Sequence, residues 1–95
     1  MIPVDWSDPG ETAGKPDRYQ EARVAGLHLC AGSNPRKPDG SYVRADDDVP
    51  WAVTAWLLDE SAMVSRLVTY ASGVATSQSA AREAAEMAMR ARFTP

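Results

Sequence analysis

The first stretch of alternating apolar and polar positions lies in residues 19–30, YQEARVAGLHLC. Val24 falls in one phase of the two-residue period of a β-strand, whereas Leu27 and Leu29 fall in the other. A β-bulge at Gly26 would correct the phase, because a bulge inserts one extra residue into a strand and glycine is common there. We therefore predict one bulged strand over this segment.

Two further apolar runs, residues 51–59 (WAVTAWLLD) and residues 63–71 (MVSRLVTYA), predict a second and a third strand. The short link between them favours an antiparallel hairpin. In the second strand both faces carry bulky side chains, and Trp51 and Trp56 point to opposite faces. This pattern indicates either a central strand that is covered on both sides or a strand with one face against a partner.

Residues 73–93, GVATSQSAAREAAEMAMRARF, change to the period of an amphipathic helix. Thr76 or Ser77 can accept a hydrogen bond from a free backbone N–H and cap this helix. The small side chains of its apolar stripe allow a close approach to a sheet. The stripe consists of Ala81, Ala85, Ala88 and Met89.

Together these elements predict an α+β fold of order β-β-β-α, in which a three-stranded antiparallel sheet carries one C-terminal helix on one face. We expect residues 19–95 to form this single domain. Residues 1–18 are rich in Pro, Gly, Asp and Glu and predict an irregular N-terminal arm, whose Trp6 is expected to dock on the body. The sheet face opposite the helix needs a cover, which either the arm or a second chain can supply.

The composition is that of a small acidic globular domain. The chain has 95 residues, of which 24% are charged, and a formal net charge of -3. It contains a single cysteine, Cys30, so no disulfide can form within the chain. The N-terminal stretch MIPVDWSDPGETAG has neither the basic region nor the apolar run of a signal peptide. We expect a cytoplasmic protein that does not enter a membrane.

A segment rich in turn-forming residues, residues 31–48 (AGSNPRKPDGSYVRADDD), separates the first strand from the second. Connections of this length in a small domain are often functional. Asp46, Asp47 and Asp48 lack the alternating acidic positions, the glycine and the late glutamate of a hand-type calcium loop. We interpret them as a solvated acidic loop that can offer carboxylates to a basic partner.

His28 and Cys30 are the residues best suited to metal or nucleophilic chemistry. They lie two apart on one strand face, and a zinc site would need one or two more ligands. Alternate strand positions are about 7 Å apart, which is too far for a hydrogen bond between nucleophile and base. No nucleophile elbow, phosphate loop or dinucleotide fingerprint is present. We therefore predict no catalytic residues, no metal site and no cofactor.

The segment GVATSQSAAREAA resembles the last helix of the double-stranded-RNA-binding domain, whose pattern there is G-x-G-x-S-K-K-x-A-K-x-x-A-A. Matching places are occupied by Gly73, Ser77, Ala81, Arg82 and Ala85. Taken over the whole stretch of residues 73–93, the resemblance covers about a quarter of the chain, and it implies the shape of a β-β-β-α half domain. Gln78 and Ser79 stand where the family has the basic pair that binds phosphate, so the resemblance implies this shape without the phosphate-binding charge.

The overall profile resembles that of the small proteins that phages and mobile elements encode against host machinery, anti-CRISPR proteins among them. The likeness rests on small size, acidity and the lack of a catalytic set. It implies a non-enzymatic protein-interaction module that acts in the host cytoplasm and blocks a basic surface of a nucleic-acid-handling complex. The residues expected to contact this protein partner are Tyr42, Asp46, Asp47, Asp48, Trp56, Asp59 and Glu60.

Two other functions remain open. A degenerate double-stranded-RNA-binding-type domain would use the basic residues Arg36, Lys37, Arg82, Arg90 and Arg92. The acidic balance and the scarcity of lysine make direct nucleic-acid binding the weaker alternative. A self-associating structural protein would pair its open sheet face or an edge strand and form a homodimer.

Overall fold

The computed structural model describes residues 3–15, 18–32, 49–61 and 63–93, with the backbone alone for Asp59 and Phe93. The elements in these ranges are β1 (Gln20–Val24), β2 (Leu27–Ala31), β3 (Val49–Asp59), β4 (Val64–Ala75) and α1 (Gln78–Phe93). The strands form one antiparallel sheet in the order β1-β2-β3-β4, and α1 packs against β2, β3 and β4. The predicted α+β class is confirmed, with its antiparallel sheet and C-terminal helix. The sheet, however, has four strands and not three.

The additional strand arises at Gly26, where the prediction of a bulge is wrong. The chain reverses at this point, because Val24 pairs directly with Leu27. The two residues between them, Ala25 and Gly26, have φ values of 49° and 82°. Two consecutive residues with positive φ form the tight hairpin turn whose twist matches that of the flanking strands. The change of phase in the sequence therefore marks a turn and not an extra residue in one strand.

β3 and β4 form the predicted antiparallel hairpin, and both strands are longer than the apolar runs indicated. Their register shifts once, because Val53 pairs with Ala71 whereas Thr54 pairs with Thr69. Tyr70 is the extra residue of a β-bulge at this point. Both Tyr70 and Ala71 pack against the core that α1 covers, so the bulge changes which β4 positions face the helix.

The helix α1 follows its predicted cap. The Oγ of Ser77 accepts a hydrogen bond from the backbone N–H of Ala80 at 3.1 Å. Ala81, Ala85 and Met89 have no exposed surface and follow one another at four-residue spacing along one face of the helix. The small side chains bring the helix close to the sheet, as the sequence predicts.

The core lies between α1 and the sheet. At its centre, Leu29 of β2 pairs with Val53 of β3, and neither side chain is exposed. Trp6 packs against this core from the N-terminal segment, as expected, and it does so on the helix side of the sheet. Ser7 then binds the edge of β1, since its N–H donates to the Glu21 carbonyl at 2.8 Å and its Oγ accepts from the Glu21 N–H at 2.9 Å.

Candidate interaction surface

The sheet face that points away from α1, here called the open face, carries alternate residues of each strand. His28 lies on it, and Thr54, which pairs with His28, continues it onto β3. Beyond Thr54, β3 pairs only with β4 among the described strands, because β2 begins at Leu27. The outer part of the β3–β4 hairpin, residues 55–68, therefore extends past the last cross-strand pair of β2.

The open face of this extension is largely apolar, with Ser65 as its polar position opposite Leu58. Trp56 of β3 pairs with Leu67 of β4, and Leu58 lies on the same face of β3. Trp56, Leu58 and Leu67, which we call the hairpin patch, are 68%, 65% and 53% exposed. Large contiguous apolar patches are uncommon on monomeric proteins and often mark contact sites, and Trp is enriched at the energetic centres of protein interfaces.

Two shallow depressions border Trp56. One, of about 300 Å³, is also lined by Arg23 and His28. The other, of about 390 Å³, is also lined by Tyr70 and Arg92, and the guanidinium carbon of Arg92 lies 3.9 Å from the centre of the Tyr70 ring. Uneven surface beside an exposed indole offers places into which the side chains of a partner can pack.

A polar cluster shares the open face with the hairpin patch. The Oε2 atom of Glu21 lies 2.9 Å from Nε2 of His28 and accepts a hydrogen bond from the Tyr19 hydroxyl at 3.0 Å. The hydrogen bond with His28 lowers the pKa of Glu21 below its usual value, and the bond from Tyr19 adds to this effect while partial burial opposes it. Burial, with the hydrogen bond to Glu21, raises the pKa of Tyr19. Glu21 is thus an ionised carboxylate that links the side chains of Tyr19 and His28 on this face.

His28 and Cys30, the residues considered for metal or nucleophilic chemistry, have different surroundings. His28 directs its Nε2 to Glu21. Burial raises the pKa of the Cys30 thiol, which disfavours the thiolate that acts as nucleophile and metal ligand. In the ranges that the structure describes, no group of three or more His, Cys, Asp and Glu residues is placed to hold a metal ion.

Of the basic residues that the nucleic-acid alternative requires, Arg90 and Arg92 on α1 have side-chain partners within the protein, as does Gln78 at the position of the family's basic pair. Arg36 and Lys37 lie outside the described residues. The side-chain amide of Gln78, at the position of the family's basic pair, donates to Oε1 of Gln20 and to the Ala31 carbonyl, both at 3.2 Å. Nη2 of Arg90 lies 3.5 Å from Oε1 of Glu86. Arg92 stacks on Tyr70 as described above. These contacts hold the three side chains in place along α1.

Three of the predicted partner-contact residues lie on the β3–β4 hairpin. Trp56 is exposed in the hairpin patch, Asp59 ends β3 opposite Val64, and Glu60 is exposed in the turn that follows. The remaining predicted contacts lie outside the described residues. They are Tyr42, Asp46, Asp47 and Asp48.

Leu58 and Leu67 were not among the predicted contact residues, although the structure places both beside Trp56. The sequence contained a signal for Leu58, because both faces of residues 51–59 carry bulk. A two-residue period shows which side chains share a face but not where a neighbouring strand ends. The length over which β3 has β2 beside it depends on where the β1–β2 turn lies. The sequence pattern did not reveal that turn.

Within the described residues, no helix combines the length and the apolarity that are needed to cross a lipid bilayer. Comparisons with protein-family models, with curated proteins and with solved structures gave no match to this chain.

Proposed function

We propose that this protein is a non-enzymatic protein-interaction module that contacts its partner through the hairpin patch. The observation that carries the proposal is the 68% exposure of Trp56, with Leu58 and Leu67 exposed beside it. Covering these side chains with a partner contributes on the order of 1–2 kcal/mol each. Such a cluster supplies the apolar centre that protein interfaces use, with polar groups around it.

The hairpin patch is held in place by the core of the protein. Val53 of β3 precedes the patch and has no exposed surface, and Ala71 of β4 packs against the same core on the other side of the bulge. The hairpin is therefore anchored by both strands. A surface that is already ordered loses little conformational entropy on binding, which favours affinity.

The finer part of the proposal is that the partner surface is basic. The chain has a net charge of -3, and Asp59 and Glu60 follow the hairpin patch at the tip of the hairpin. Carboxylates around an apolar centre steer a basic partner and disfavour acidic ones. On this proposal the protein is a phage- or mobile-element-encoded inhibitor, similar to anti-CRISPR proteins, that blocks a basic surface of a host nucleic-acid-handling complex.

The proposal is tested by capture of proteins from host lysate on the immobilised wild-type chain and on two variants. Trp56→Ala removes the centre of the hairpin patch, and we expect it to lower recovery of the partner by about tenfold or more. Met87→Ala is the matched control, because Met87 is 64% exposed but lies on α1. We expect this control to retain the partner. Equal recovery on Trp56→Ala and on wild type contradicts the proposal.

Treating half of each lysate with nuclease separates the proposed function from nucleic-acid binding. A protein partner that contacts the hairpin patch directly remains bound after the treatment. Recovery that disappears with the nucleic acid supports the double-stranded-RNA-binding alternative instead. Reversing the charge of Asp59 and Glu60 tests the finer part, and reversing Asp46, Asp47 and Asp48 tests the acidic loop in the same way. Binding that remains unchanged in both variants removes the support for a basic partner surface.

A further inference from the structure

The two edges of the sheet differ. At the β1 edge, Ser7 of the N-terminal segment already binds both the N–H and the carbonyl of Glu21. At the opposite edge lies β4, with which no strand other than β3 pairs in the part of the chain that the structure describes. An unpaired edge of 12 residues presents a row of backbone N–H and C=O groups that another strand can bind.

β4 lacks most of the features that prevent edge pairing. Proteins usually protect an edge strand with charged side chains, with proline, with a β-bulge or by keeping it short, and of these devices β4 has the bulge at Tyr70. β4 contains one charged residue, Arg66, and no proline. On its open face, Leu67 and Val74 are 53% and 62% exposed. The edge is therefore suited to pairing and carries apolar side chains that pairing would cover.

The bulge at Tyr70 makes β4 complementary to a second copy of itself. Because of this extra residue, the open-face positions are Leu67, Thr69, Ser72 and Val74, with a wider step in the middle. The steps between these four positions, of two, three and two residues, are the same in both chain directions. In an antiparallel pair of β4 strands in which the two bulges lie opposite each other, open-face residues therefore meet open-face residues on both sides of the bulge.

We propose that two copies of this protein associate through β4 in this register, so that their four-stranded sheets form one continuous sheet around a twofold axis. Leu67 then lies opposite Val74 of the second copy, and Thr69 lies opposite Ser72 of the second copy. Apolar side chains thus meet apolar ones and hydroxyl groups meet hydroxyl groups, which are favourable cross-strand pairs.

The charges of β4 are compatible with this pairing. Arg66 lies opposite Ala75 of the second copy, which places the two Arg66 side chains about 30 Å apart by the rise per residue of a strand. This separation exceeds the screening length of about 8 Å at physiological salt, so the two cations do not oppose association. Two like charges directly opposite each other in the β4–β4 pair would have weakened the dimer.

The inference goes beyond the proposed function, because it uses the edge of β4 and leaves Trp56 and Leu58 on β3 accessible to a partner. The dimer would place two hairpin patches on the same face of one sheet. Val74 of the second copy then lies beside Leu67 and extends each patch across the interface.

Two double variants at exposed open-face positions test the pairing and its register by sedimentation. Thr69→Lys with Ser72→Lys places like charges opposite each other at two symmetric points, and we expect dimerisation to weaken by about tenfold or more. Thr69→Lys with Ser72→Glu places opposite charges at the same points, and we expect it to restore the dimer. Thr69 and Ser72 are both exposed, so the fold should tolerate both variants, which far-UV circular dichroism checks.

We expect the wild-type chain to sediment at twice its monomer mass of 10.3 kDa at high micromolar concentration, and Trp56→Ala to do the same. A wild-type chain that remains monomeric, or a lysine double variant that still dimerises, overturns the inference. Loss of partner capture by Trp56→Ala is a separate result. The proposed function can therefore fail while the dimer stands, and the dimer can fail while the proposed function stands.

Discussion

Glu21 of β1 contacts β2 through His28 and also accepts a hydrogen bond from Tyr19, the residue before β1. Because the pKa of Glu21 is lowered in the folded protein, its unfolded form takes up a proton at higher pH than its folded form. The stability that Glu21 contributes is therefore fully present above the ordinary carboxyl pKa of 4.5 and is lost as the pH falls through the folded value. This residue makes the fold sensitive to acid.

We predict that Glu21→Gln reduces this sensitivity. The free energy of unfolding, measured by urea denaturation at pH 7 and at pH 3, should fall less between the two conditions in the variant than in the wild type. Glu83→Gln is the control, since Glu83 is an exposed carboxylate of α1, and it should keep the wild-type difference. An identical pH dependence in Glu21→Gln and wild type would show that the contacts with His28 and Tyr19 do not stabilise the fold.

The contact between Gly73 and Trp51 joins β4 to β3 at the scale of secondary-structure elements. The two residues pair across the strands, and a Cβ atom built on Gly73 would lie 2.9 Å from Cζ2 of Trp51. The indole therefore lies directly over the glycine. Since Trp51 also packs against both clusters of the core, its position is coupled to the packing of α1 on the sheet.

We predict that Gly73→Ala destabilises the protein by about 1–3 kcal/mol, because the indole of Trp51 has to move. Without this contact the same change would stabilise a strand slightly, so the sign of the effect is informative. Urea denaturation measures it, and Ser65→Ala, at an exposed position of β4 that pairs with Leu58 and not with Trp51, should change stability by no more than about 0.5 kcal/mol. A stabilised Gly73→Ala variant would contradict the position of Trp51.

The elements differ in how well the sequence predicts them, and α1 is predicted best. Ala81, Ala85 and Met89 recur at helical spacing, and Ser77 supplies a cap, so local chemistry and packing agree. The β1–β2 turn was missed because Ala25 takes a positive φ of 49°, which is a conformation that alanine rarely adopts. Turns of this kind are usually recognised by Asn-Gly or Asp-Gly, and this sequence has Ala-Gly.

The candidate site was predicted only in part for a related reason. Trp51 and Trp56 lie in one predicted strand, yet Trp51 packs on the core, as Trp6 of the N-terminal arm does, whereas Trp56 is exposed. Strand periodicity assigns each side chain to a face, but exposure depends on which elements reach that face. Because the predicted sheet lacked the separate β1 and β2 strands, it could not show that β3 and β4 extend beyond them.

At the scale of the whole molecule, the two faces of the sheet have different roles in the fold. One face carries α1 and Trp6 and forms the core. The open face is polar around Glu21 and His28 and apolar at the hairpin patch. The core thus lies on the helix side of the sheet, whereas the β3–β4 hairpin exposes apolar side chains on both faces, since Leu57 and Val64 on the helix side are 39% and 54% exposed.

Side-chain oxidation by hydroxyl radicals, with and without the captured partner, tests this account most directly. Trp56, Met63 and Met87 are 68%, 84% and 64% exposed, so all three report on the free protein. The account predicts that the partner protects Trp56, and Met63 at the tip of the same hairpin, while Met87 on α1 is oxidised as before. Protection of Met87 with continued oxidation of Trp56 would contradict the account, because the partner would then bind the helix and not the hairpin patch.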